Sequence, residues 1–303
     1  MRWIYLSPHF DDAVLSCGGW IWEQAHAGLP VEVWTICSGD PPNGPLSREA
    51  RHCHRVWGTG TAQETVALRR LEDQAANRAI GATWRHLSLP DCIYRLSPRG
   101  DPLYPEAVNV SLHYLEAGLD QALAEEIQIG LEPDDHVACP LAIGGHVDHL
   151  LTRAAALRLG RPIWYYADLP YVLRQPTALA PAVQGLREAF HPITLEGVQA
   201  WLDGISAHAS QMLMLFSSEG EMRATFRQHW IAQRGIRIWD SGSNALEDSA
   251  GNRPADRSKG VGGFINKIKN DSVKPLLETL FLPPECLAGP LATAEEQLCR
   301  MQA

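Results

Sequence analysis

Two short segments of the chain carry chemistry-bearing side chains at close spacing. Ser7-Pro8-His9-Phe10-Asp11-Asp12 places an imidazole and two carboxylates side by side, and His146-Val147-Asp148-His149 places two imidazoles around a third carboxylate. Imidazole nitrogen and carboxylate oxygen both bind divalent metals, and a carboxylate can also orient a ligating ring through its other N–H. Each segment alone is weak, because aspartates cap helices and His-x-x-His arises freely on helix surfaces. Together, His9, Asp12 and His149 would supply three protein ligands and leave a fourth position for water, the open pattern of a catalytic zinc site. Asp11 and His146 would then be left for proton transfer.

The surrounding sequence reads as alternating strands and helices. Arg2 to Ser7 is a strand, Ala13 to His26 a helix, Gly28-Leu29-Pro30 a turn and Val31 to Cys37 a strand, which makes a βαβ unit. The pattern continues with a helix over Ala62–Ile80, a strand over Trp84–Leu89, a long helix over Ala107–Ile129 and a strand over His136–Cys139. A helix over Val147–Leu159 and a strand over Pro162–Ala167 follow. Such alternation predicts an α/β fold, a Rossmann-like three-layer αβα arrangement around a mostly parallel sheet. Both polar segments fall where a strand hands over to a helix, the edge at which open parallel sheets bind their ligands.

Asp40–Thr61 and Arg95–Pro105 read as loops that shape a pocket. Beyond Asp168 the sequence predicts helices around Glu196–Phe216 and Glu219–Gln233 and a last strand over Ile236–Trp239. Ser241–Gly263, rich in Ser, Gly, Asn, Asp and Lys, reads as a flexible loop, and Leu276–Leu282 as a short helix. The expected organisation is a single domain over residues 1–240, then a loop and C-terminal extension over 241–303.

The two polar segments resemble the paired signatures of the PIG-L (LmbE-like) family of metal-dependent N-deacetylases, which usually run His-Pro-Asp-Asp-Glu and His-Pro-Asp-His. Here they read His9-Phe10-Asp11-Asp12-Ala13 and His146-Val147-Asp148-His149. The chemically active positions match, whereas both prolines and the glutamate are replaced. The resemblance implies that His9, Asp12 and His149 bind zinc, or another divalent metal such as Fe2+. It further implies that Asp11 is the base and that His146 assists at the oxyanion or leaving group; to donate there, His146 is expected to be an imidazolium. Asp148 would hold the ring of His146 or His149.

Arg69-Arg70-Leu71-Glu72-Asp73 resembles the family's arginine-containing helix that faces the substrate, which makes Arg69 a candidate contact. A solvated charged face over an apolar stripe at Val66, Leu71 and Ala75 reads equally well. Asp91, after Leu89-Pro90, sits where the family often has a substrate-contacting acid, and a plain turn aspartate reads equally well. Ala207–Gln211 is similar to a late helical stretch of the family, where His208, Ser210 and Gln211 read as structural. The implied activity is removal of the N-acetyl group from an N-acetylglucosamine-type glycoconjugate. An amidase acting on thiol conjugates and a non-catalytic metal- or sugar-binding protein are the alternatives, the latter prompted by Ala13.

Composition narrows the partners. With 45% hydrophobic and 20% charged residues, the 303-residue chain is an ordinary globular protein. A net charge of -9 supplies no basic field, so duplex nucleic acid is excluded as a main partner. No apolar run reaches the roughly 20 residues a membrane span needs, and the first residues are too soon polar for a signal peptide. Seven cysteines without C-x-x-C spacing indicate neither a disulfide framework nor a thiolate zinc knuckle, so a cytoplasmic location is expected. A homo-oligomer is compatible with the sequence. Gly260-Val261-Gly262-Gly263 lacks the strand and opening helix of a dinucleotide fingerprint, which disfavours a nucleotide-binding regulatory domain.

Overall fold

The computed structural model describes residues 1–44 and 46–242. In chain order its elements are β1 (Trp3–Ser7), α1 (Asp12–His26), β2 (Val31–Thr35), α2 (Arg48–Trp57), α3 (Ala62–Ala79) and β3 (Thr83–His86). Next come α4 (Leu119–Gly130), β4 (His136–Pro140), α5 (Val147–Leu157), β5 (Ile163–Tyr166), α6 (Tyr171–Arg174) and α7 (Leu179–Ala182). The described chain ends with β6 (Arg187–Pro192), α8 (Leu195–Ala207), α9 (Met212–Leu215), α10 (Glu219–Gln233) and β7 (Gly235–Asp240).

The strands form one seven-stranded sheet in the order β3-β2-β1-β4-β5-β7-β6. The first five are mutually parallel, while β7 runs antiparallel to both β5 and β6. This is the three-layer α/β architecture that the alternation predicts. Every residue of β1 is buried, as a parallel strand covered on both faces requires. Right-handed crossovers place α1 and α3 on one face and α4 and α5 on the other, because the strand order reverses between β1 and β4. That reversal opens a crevice at the carboxyl ends of β1 and β4.

Helix α8 seals the α1 face. Trp201 of α8 is 1% exposed and its Nε1 donates to the carbonyls of Val14 and Leu15 at 2.8 and 3.1 Å. A Cβ on Gly18 would stand 2.6 Å from the Trp201 ring, so only glycine there admits the approach.

Five departures from the sequence reading bear on the architecture. Residues 48–57, read as part of a loop, form α2, whose N-cap Ser47 accepts from the amide of Ala50. The helix expected over Ala107–Ile129 begins only at Leu119, after Gly118 adopts φ +87°, a left-handed conformation that interrupts helical propagation. The helix expected around Glu196–Phe216 breaks at His208. Strand β6 was not anticipated, because Arg187, Glu188, His191 and Pro192 give an edge strand little apolar alternation.

The fifth departure is α3, which turns its polar side inward. Leu71 is 63% exposed and Ala75 is exposed, whereas Arg69, Glu72, Asp73 and Asn77 are buried. Neither a solvated charged face nor the stripe Val66, Leu71 and Ala75 describes it. The flexible loop and the Leu276–Leu282 helix fall outside the described residues, apart from Ser241 and Gly242.

Candidate active site

The turn after β1 delivers the first cluster into the crevice. Asp11 occupies the N-cap position of α1, yet its side chain makes no capping bond, so helix capping does not explain the residue. Asp12, the first residue of α1, instead accepts the backbone N–H of His9 at 2.8 Å through Oδ2. The turn is also tied by Ser7 Oγ, which accepts the amide of Ala13 at 3.0 Å.

The second cluster leaves β4 through Leu141–Gly145 and opens α5. His146 is the N-cap, its Nδ1 accepting the Asp148 amide at 3.2 Å, which leaves the proton of a neutral ring on Nε2. The rings of His9, His146 and His149 converge. His9 meets His146 edge-on at 4.7 Å between centroids and lies 5.4 Å from His149.

Two of the three rings, His9 and His149, are held from behind by a carboxylate. His9 Nε2 lies 3.1 Å from Asp148 Oδ2, and His149 Nδ1 lies 2.7 Å from Asp168 Oδ1. Their other nitrogens turn to one oxygen: Asp12 Oδ2 is 3.1 Å from His9 Nδ1 and 3.3 Å from His149 Nε2. Asp148 therefore grips His9, where His146 or His149 was expected, because its carboxylate is drawn away from α5 by Arg95 Nη2 at 2.5 Å and the Cys92 amide at 3.0 Å. Asp168, just past β5 at the same sheet edge, takes the expected place beside His149. Its position after a strand of the parallel sheet was the available signal.

The residues present fit a divalent metal. His149 Nε2 is buried without a hydrogen-bond partner, and one donor nitrogen from each of His9, His146 and His149 lies within 4.8 Å of the others. Overlapping groupings of Cys92, His146 and Asp148, and of His9, Asp91 and Asp148, satisfy the same spacing. Backing by a carboxylate, as at His9 and His149, is the usual arrangement around a ligating histidine.

Electrostatics follow from this crowding. Burial alone would lower His9 and His149, but the facing carboxylates outweigh it. His9 is raised well above the ordinary imidazole value by Asp91, Asp12 and Asp148, and His149 is pushed up to about 9 by Asp12 and Asp168. Asp12 is correspondingly held low by His149 and His9 against its burial, and Asp148 by Arg95 and His9. His146, which has burial and the charge of His9 against it, falls to about 3 and is neutral. An imidazolium at this position, expected from the sequence, is not what its surroundings favour.

Arg69 and Asp91 are buried beside the first cluster. Arg69 is 5% exposed, with Nη2 3.7 Å from Asp11 Oδ1 and Nη1 3.5 Å from Asp91 Oδ2. Its guanidinium lies over the rings of Phe10 and Trp57 at 5.1 and 4.7 Å. Asp91 accepts the Ile93 amide at 3.2 Å and stands 4.0 Å from His9 Nε2. Late in the chain, Ser210 anchors Glu72 of α3 through its amide at 2.8 Å and its hydroxyl at 2.6 Å, a structural contact. Sequence reasoning also passed over Arg95 and Tyr171, whose ring meets His149 edge-on at 5.7 Å.

The chain is thus an open, mostly parallel α/β protein with a His/Asp cluster at its topological switch point. The chain belongs to the PIG-L family, described as GlcNAc-PI de-N-acetylase, which it matches over residues 4–159. It is similar to the 2'-N-acetylparomamine deacetylase of Streptomyces fradiae, 29% identical over 86% of this chain and 88% of that protein. The 2'-N-acetylparomamine deacetylase of Niallia circulans is 26% identical over 78% of this chain and 92% of that protein. Among solved structures, the zinc-inhibited form of a teicoplanin deacetylase superposes with a TM-score of 0.66 at 30% identity, over 79% of this chain and 97% of the other. Among the described residues, no helix is long and apolar enough to cross a membrane.

Proposed function

We propose that this protein is a metal-dependent N-deacetylase that hydrolyses the acetamide of an N-acetylated amino sugar in an antibiotic-type glycoconjugate. One observation carries the reading: His9 and His149, each backed by a carboxylate on one ring nitrogen, turn the other nitrogen to the same Asp12 oxygen, and Asp11 stands beside them against Arg69. The two relatives that act on 2'-N-acetylparomamine support a small acetamido sugar as substrate. We place the protein in the cytoplasm, where its cysteines would stay reduced.

His9, Asp12 and His149 would hold the metal, zinc or iron(II). A divalent cation there supplies Lewis-acid polarisation of the amide carbonyl and eases deprotonation of water to a pKa near about 7. Asp11 takes the proton of the attacking water, and Arg69 keeps that carboxylate turned into the crevice. We assign Arg69 this duty because it is buried against Asp11, and Asp91 the floor of the sugar site. His146 donates from Nε2 to the oxyanion of the tetrahedral intermediate as a neutral imidazole, which needs no prior protonation. The protonated Asp11 then returns its proton to the leaving nitrogen, releasing acetate and a free amine.

The test combines metal analysis of the purified protein with amine release from N-acetylglucosamine conjugates and acetylated aminoglycosides, before and after chelation and metal return. About one metal per chain with chelator-sensitive release supports the reading. Bound metal without release from any of them favours the non-catalytic binding protein.

A further inference from the structure

Behind the candidate metal ligands lies a buried charge chain that the proposed reaction does not use. Arg95, 6% exposed, extends Nη2 to Asp148 Oδ1 at 2.5 Å, while its Nε stands 3.2 Å from Glu116 Oε1. The guanidinium lies 5.0 Å over the Tyr104 ring. Tyr104 in turn donates its hydroxyl proton to Glu116 Oε2 at 2.6 Å and accepts the His113 amide at 2.8 Å. One cation is therefore shared between the carboxylate that grips His9 and a carboxylate on the segment 95–118.

The same segment is tied to the second cluster through its backbone. The Val147 amide donates to Ala107 O at 2.8 Å, the Asn109 amide to Gly145 O at 2.9 Å, and Val108 pairs with His146 as an antiparallel bridge. Residues 95–118 thus reach His9 through side chains and His146 through the main chain. A buried cation between carboxylates adds little net stability, since desolvation offsets the Coulomb gain. What it fixes is orientation: a planar guanidinium fork holds two carboxylates in a set geometry, whereas an ammonium's rotatable donors do not.

We propose that Arg95 is a positioning residue for His9, and that residues 95–118 act as a strap whose order sets the affinity of the site for a divalent cation. This rests on the metal-dependent reading above. Arg95 fixes Asp148, Asp148 fixes the His9 ring, and Glu116 with Tyr104 holds Arg95 in place. The strap makes the two clusters one unit.

Cobalt(II) is the probe, its affinity measured by chelator competition and its geometry by ligand-field absorption. Arg95→Lys should bind cobalt(II) about 10- to 100-fold more weakly, with a shifted absorption spectrum. Tyr104→Phe keeps the ring under the guanidinium and loses only the hydroxyl, and should show a smaller loss in the same direction. A merely structural Arg95 would lower the melting temperature of the metal-free protein and leave cobalt affinity and spectrum unmoved, which overturns the proposal. If Arg95→Lys does not fold, Tyr104→Phe decides: weakened binding supports the strap, and wild-type binding refutes it. A wild-type protein that binds cobalt(II) yet releases no amine defeats the deacetylase reading alone, because the strap is judged on metal binding.

Discussion

Asp168 Oδ1 accepts a hydrogen bond from His149 Nδ1 at 2.7 Å, and this single contact turns Nε2 of the same ring toward Asp12 Oδ2, 3.3 Å away. The other oxygen of Asp168 accepts the Ile143 amide at 2.8 Å, so the carboxylate also pins the loop leaving β4. Replacing it with asparagine keeps the size and removes the charge. Asp168→Asn should fold and should weaken divalent-metal binding about 10- to 100-fold, as measured by chelator competition. Undiminished affinity would show that the His149 ring holds its orientation without this partner.

Asp11 and His149 should separate chemistry from metal binding. Asp11 is beside the cluster without taking part in its ring contacts, so Asp11→Asn should retain metal while kcat falls roughly 10²- to 10⁴-fold. His149→Ala should lose metal and amine release together. Metal content determined on the same preparations used for kinetics distinguishes the two, and an Asp11→Asn enzyme with normal turnover would remove Asp11 from the role of base.

Proton linkage at His149 has a definite sign. Its value is raised from the ordinary 6.5 to about 9, so the folded state favours the imidazolium. That contribution to the stability of the metal-free protein is fully present below pH 6.5 and is lost as pH rises through about 9. Metal needs the neutral ring, so its affinity should climb across the same interval, with release of protons. Thermal melts of metal-free protein should decline over that interval while metal affinity rises. A flat melting temperature and a pH-independent affinity would contradict the pairing of His149 with Asp12 and Asp168.

How far the sequence could be read depended on whether the information was local. The strands β1, β2, β4 and β5 and the helices α1 and α5 carry their own apolar pattern and end signals, and both polar clusters sit at their junctions. What escaped detection lay in partners distant along the chain. Helix α3 looks like a surface helix until its buried face meets Asp11 and Asp91 through Arg69, His86 through Asp73, and Ser210 through Glu72. No periodicity reveals that a row of charged residues is turned inward toward such partners. The holder of each histidine was equally hidden, since Asp148 lies beside His149 in sequence but reaches His9 in space.

Ala13, where related signatures have glutamate, offers the last prediction. It is completely buried in the apolar layer with Val14, Leu6 and Trp201, and its amide is already satisfied by Ser7 Oγ at 3.0 Å. The packing around this residue therefore belongs to alanine. Ala13→Glu would force a carboxylate into that layer, where an unpaired charge costs more than about 2 kcal/mol. The variant should melt well below the wild type and gain neither metal affinity nor turnover, read by thermal denaturation alongside metal titration. If Ala13→Glu instead folded normally and bound metal more tightly, the glutamate would have a waiting partner near Asp12, and the site of this chain would be one that alanine has weakened.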